Sequence, residues 1–174
     1  MSPRFVMISR WRLETTAERV WELLIDPTEW PAWWPHVARV ERLANGDCDG
    51  VGSRHAFVWR SGLGYGLRIV ITSTRVEHCR ELEGIASGDL RGLGLWLIDD
   101  ASANGVRITH RWDVELSKTW MRLLAPLLQR VFARRHCAVM KKGALGMARR
   151  LRCRLSEIED WSTISAVGDG PAGR

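Results

Sequence analysis

Apolar and polar residues alternate along most of the first two-thirds of the chain, and a period of two marks strands. In residues 5–13, Phe5, Met7, Ser9, Trp11 and Leu13 fall on one side and Arg10 and Arg12 on the other. The period then changes. Thr15-Thr16-Ala17-Glu18 reads as a capping box, with Thr15 as the cap and Glu18 reaching back to it. Ala17, Val20, Trp21 and Leu24 follow at helical spacing, so a short helix is predicted to about Ile25, where Asp26-Pro27 ends it. Residues 27–35 hold three prolines, which predicts a single helical turn and a tight connector pinned by Trp30, Trp33 and Trp34.

Strands are predicted over residues 36–44, 51–60, 67–76, 81–87, 90–98 and 106–116, separated by turns rich in Gly, Asn and Asp. The last has the cleanest alternation, with Val106, Ile108, His110, Trp112, Val114 and Leu116 facing one way. Seven strands, six of them consecutive, form an antiparallel meander. The chain from Lys118 to Arg154 is a helix whose apolar stripe includes Leu124, Leu128, Phe132, Val139, Met140 and Met147. After Trp161 the composition shifts to Gly, Ala, Ser and Asp. Residues 1–161 are therefore expected to form one domain, and residues 162–174 a flexible tail.

This layout demands a cavity. One helix is about 10 Å wide, whereas seven strands at ~4.8 Å spacing span more than ~30 Å. The sheet must curl around the helix, which leaves a gap wherever inward side chains are small. Gly84, Ala86, Gly88, Gly92 and Gly94 share the phase of Leu90, Trp96 and Ile98. If residues 99–105 form the hairpin turn, Gly94 comes opposite His110 and Gly92 opposite Trp112. The same glycines also suit points where a sheet bends.

Composition adds two facts. Ten Trp stand against one Tyr and three Phe, and Trp suits walls that are apolar but offer a hydrogen-bond partner. Of the 26 Lys and Arg, eleven fall between Lys118 and Arg154, where there is no Asp or Glu. That segment suits a solvated helix face, an anionic membrane surface or an acidic protein. The Trp residues do not interleave with it, which argues against nucleic acid. No run approaches the ~20 apolar residues of a membrane span, and the N-terminus lacks a signal peptide's apolar core. A cytoplasmic protein is expected. Cys48, Cys79, Cys137 and Cys153 lie far apart, with no metal-ligand spacing, so neither a metal site nor a disulfide framework is expected. No glycine loop for phosphates precedes a helix, and no cofactor is expected.

Several short motifs occur in a particular order: Thr-Ala-Glu-Arg-Val-Trp-Glu-Leu-Leu at 16–24, Trp-Pro-Ala-Trp-Trp-Pro at 30–35, and Ser-Gly-Asp-Leu-Arg-Gly at 87–92 with Trp96. Ala125-Pro126 follows, then His136, Val139, Met140 and Gly143. With the element order, they resemble the helix-grip fold of the START and Bet v 1-like (SRPBCC) superfamily over residues 4–152. More narrowly, the chain is similar to the polyketide cyclase/dehydrase and lipid-transport family. The resemblance implies an α+β fold whose curved antiparallel sheet holds a lipid, quinone or polyketide-like molecule against the long helix.

By alternation, the expected pocket is lined by Ser9, Trp11, His55, Phe57, Trp59, Ile71, Trp96, His110 and Trp112, with Leu124, Leu128 and Phe132 from the helix. Only His55 and His110 are candidates for acid and base chemistry, because imidazole titrates near neutrality. His36, His78 and His136 sit at element ends or on the helix and are assigned no role. Three functions stay open: a non-catalytic carrier of an apolar ligand, an aromatase/cyclase-type enzyme using His110 with His55, and an interaction module docking through its basic helix.

Overall fold

The computed structural model describes residues 3–60, 66–102, 104–117 and 119–166, with side chains for all of these except 3, 100, 101, 119–133 and 164–166. Strand β1 (Pro3–Leu13) leads into helix α1 (Ala17–Ile25), a single 3-10 turn (Pro27–Glu29) and the one-turn helix α2 (Trp30–Trp33). Six strands follow: β2 (Val37–Ala44), β3 (Arg54–Arg60), β4 (Gly66–Glu77), β5 (Glu81–Gly88), β6 (Leu90–Ser102) and β7 (Gly105–Leu116). Helix α3 (Thr119–Leu151) and strand β8 (Leu155–Ala166) complete the order. The eight strands form one antiparallel sheet in the order β2-β3-β4-β5-β6-β7-β1-β8. This is the helix-grip α+β architecture.

Three details differ from the sequence-based expectation. The cap of α1 is Thr16, whose side chain accepts from Arg19 N, because the helix begins one residue later than a Thr15 cap requires. The β6–β7 register is shifted by two: Gly94 lies opposite Trp112, Gly92 opposite Val114, and Trp96 opposite His110. Residues expected in the turn pair instead, out to Ser102 opposite Gly105, which moves the hairpin's centre toward β7. An even shift keeps every side chain on its face.

The third difference is β8. The helix ends at Leu151, three residues before the expected boundary, where Arg152 adopts a left-handed φ of 52° and Cys153 N donates to Ala148 O at 3.0 Å. That reversal sends the chain back along β1, so residues 162–166, expected in a tail, pair with it instead. Residues 167–174 lie outside the described residues. The new strand places Ile158 beside Trp11 and Asp160 beside Ser9 on the inner face. Outside, Arg10 pairs with Glu159 and lies over the Trp161 ring.

Two core clusters occupy the inner face. The larger joins Trp11, Trp30, Trp33, Trp34 and Trp96 to Met140, Ala144 and Met147 of α3. The smaller holds Phe5, Met7, Ile69, Leu90, Val114 and Leu116. Glycines set the helix at its close distance: Gly143 faces the Trp34 ring and Gly146 the Trp33 backbone carbonyl, where any Cβ would collide. Gly146→Ala should therefore destabilise the protein by about 1–3 kcal/mol, although Ala normally favours a helix by about 1 kcal/mol over Gly. Urea unfolding measures this, and a midpoint that rises in the variant would contradict the packing.

Candidate functional site

A cavity of about 200 Å³ lies between the two clusters. Phe5 and Met7 reach it from β1, Phe57 and Trp59 from β3, and Ile69 and Ile71 from β4. Trp96, His110 and Trp112 line it from β6 and β7, and His136, Val139 and Met140 close it from α3. Trp30 and Trp34 cap one end. The space under Gly94 is taken by the Trp112 ring, whose Cζ3 stands 2.5 Å from where a Cβ would be. The small residues thus let large rings lie inward, as the alternation suggested.

Of the expected lining, His55, Phe57, Trp59, Ile71, Trp96, His110 and Trp112 are in the wall. Ser9 and Trp11 share its face but do not line it. Ser9 Oγ donates to Asp160 Oδ1 at 2.5 Å, a partner supplied by the unforeseen β8. Trp11 is fully buried, edge-on to Trp34 and Trp96 at 6.1 and 5.4 Å. The side chains of Leu124, Leu128 and Phe132 lie outside the described residues.

The two expected histidines differ in their surroundings. His55 is buried, and Arg42 Nε approaches its Nε2 at 3.4 Å. Burial pushes its pKa down, and the Arg42 charge adds to that. His110 sits against Trp96, ring centroids 4.2 Å apart. The His136 imidazole lies 6.5 Å away, with the rings 21° from parallel. His136 is therefore a wall residue, although its place on the helix assigns it no role from sequence. A signal for it exists, since His136 shares a helical face with Val139, Met140 and Gly143.

Burial holds His110 at a pKa of about 3, with the neighbouring His136 contributing, and holds His136 at about 4. Both rings are neutral at physiological pH. The charged residues in the wall are Arg60 and Arg135, both exposed, and Glu83, which accepts from Thr74 Oγ1 at 2.8 Å. Among the described residues no three His, Cys, Asp or Glu are grouped to hold a metal ion, and no helix is long and apolar enough to cross a membrane.

The model of the polyketide cyclase / dehydrase and lipid transport family matches residues 10–154. The chain belongs to that family. Strand β8 begins at Leu155, just past the matched segment. No curated protein matches the chain. Among solved structures, TTHA0849 from Thermus thermophilus superposes with a TM-score of 0.70 at 18% identity, covering 85% of this chain and 97% of that one. A START superfamily protein from Mycobacterium smegmatis gives 0.67 at 15%, covering 84% and 97%. The Zhui aromatase/cyclase from a Streptomyces species gives 0.63 at 14%, covering 86% and 94%. At these identities the likeness establishes the fold.

Protonation should be visible in the histidines. Their folded pKa values lie below the ordinary imidazole value of about 6.5. The stability they contribute is therefore complete above that pH and is lost as pH falls toward 4 and then 3. In NMR titrations the His110 and His136 rings should stay neutral from pH 8 to pH 5. A midpoint near 6.5 for either would contradict their enclosure.

Proposed function

We propose that this family member binds a hydrophobic small molecule in the cavity and carries it without altering it. The observation that carries this is the wall itself: aromatic and aliphatic side chains from both faces of the enclosure, with its innermost histidines held neutral. Burial of apolar ligand surface supplies the affinity, and a few polar groups orient the ligand. The cavity is smaller than the ~300–1,000 Å³ of drug-sized sites, so it suits a molecule of one or two rings or a short chain. A general base works best with a pKa near the operating pH. His110 lies far below that, and His55 faces the Arg42 guanidinium. The four unpaired cysteines support placing this work in the reducing cytoplasm.

A cyclase is the second reading, favoured by the proximity of His110 and His136 inside one cavity. Docking through α3 is the third, favoured by the exposed Arg134, Arg135, Lys141, Lys142, Arg149 and Arg150 on a helix without a carboxylate. One titration separates them. Prodan, a neutral two-ring naphthalene fluorophore, should bind saturably and equally well at low and high salt. In His110→Ala its affinity should stay within about tenfold (roughly 1.4 kcal/mol). Absence of saturable binding would contradict the proposal, and loss of the signal at high salt would favour docking through α3. Turnover of a polyketide-like substrate that His110→Ala abolishes would establish the cyclase.

A further inference from the structure

Six side-chain nitrogen or oxygen atoms among the described residues are buried without a hydrogen-bond partner: Arg10 Nε, Trp11 Nε1, Trp33 Nε1, His110 Nδ1, Ser117 Oγ and His136 Nε2. Only two of these belong to residues that line the cavity, and they are the two imidazoles whose ring centroids lie 6.5 Å apart. A buried polar atom left unpaired costs about 1–3 kcal/mol. His110 is more than nine-tenths buried, between Trp96 and Trp112, and neither ring relieves that cost at Nδ1.

We infer that His110 and His136 form a two-point site for a neutral hydroxyl on the otherwise apolar ligand. This deepens the proposed function and rests on it, since an apolar body must fill the cavity for its hydroxyl to reach the rings. A hydroxyl fits the pair when one of the two unpaired nitrogens donates and the other accepts. A neutral imidazole offers one N–H and one lone pair, and a hydroxyl both donates and accepts. One ring donates to the hydroxyl oxygen while the other accepts its proton in a hydrogen bond, and neither ring changes charge. A carboxylate only accepts, and it would bring a charge into an apolar enclosure. Among the described residues the cations in the wall are Arg60 and Arg135, whose side chains are exposed and keep their charge in solvent. The pair thus selects a phenol or alcohol over the corresponding acid.

Three probes with one shared body test this: naphthalene, 2-naphthol and 2-naphthoate, titrated calorimetrically into the full chain at pH 7. The naphthol should bind about tenfold more tightly than naphthalene, the value of one well-made hydrogen bond, and the naphthoate should bind most weakly. In His110→Leu and in His136→Leu the preference for the naphthol over naphthalene should fall below about threefold while naphthalene still binds. If one variant does not fold, the other carries the comparison, and the wild-type ratio stands without either. Equal binding of naphthol and naphthalene, or naphthoate as tight as naphthol, would overturn the hydroxyl site and leave the apolar cavity standing. A wild-type preference that both variants retain would also overturn it. Failure of all three probes to bind would overturn both.

Discussion

Everything in this fold is arranged around the contact between the tryptophan connector and helix α3. Trp33 and Trp34 stack at 5.4 Å, and Trp34 donates its indole N–H to the Val139 carbonyl at 2.9 Å. The helix accepts rings this close because Gly143 and Gly146 present backbone where other residues carry a side chain. Trp30, tied to Leu23 O at 3.0 Å, joins α1 to the same block. The connector therefore fixes where the helix crosses the sheet. Packing at this end is dense.

The cavity is what remains between that dense cluster and the smaller one around Phe5, Ile69 and Leu116. Its chemistry follows from its enclosure. Imidazoles that would titrate near neutrality in water are forced neutral, because an apolar surrounding penalises the charged form. They serve as hydrogen-bonding groups more readily than as bases. The proposed carrier function and the proposed hydroxyl site both draw on that consequence of burial, together with the apolar wall and the unpaired imidazole nitrogens.

Much of this is legible in the sequence, because the meander's strands keep their alternation wherever one face is buried. Phase alone puts Phe57, Trp59, Trp96, His110 and Trp112 on the inner face, and a two-residue error in the hairpin register does not move them off it. What escapes is whatever depends on contacts across the chain. Strand β8 carries Asp160 and Ser162 at inward positions after Ile158, which breaks the apolar alternation that would announce it. Ser9 reads as a pocket residue because its partner, Asp160, lies 151 residues away. His136 goes unassigned because helix periodicity says which residues share a face but not what that face covers. The helix's four-residue spacing from His136 to Met140, together with the apolar stripe through Met140, is the available clue.

Native mass spectrometry of the protein purified from cells, followed by denaturing extraction, tests the central claim most directly. The account predicts a stoichiometric extra mass that is released on denaturation as a small apolar molecule. A bare chain mass, with no thermal shift on adding lipids, quinones or polyketide-like aromatics, would contradict it.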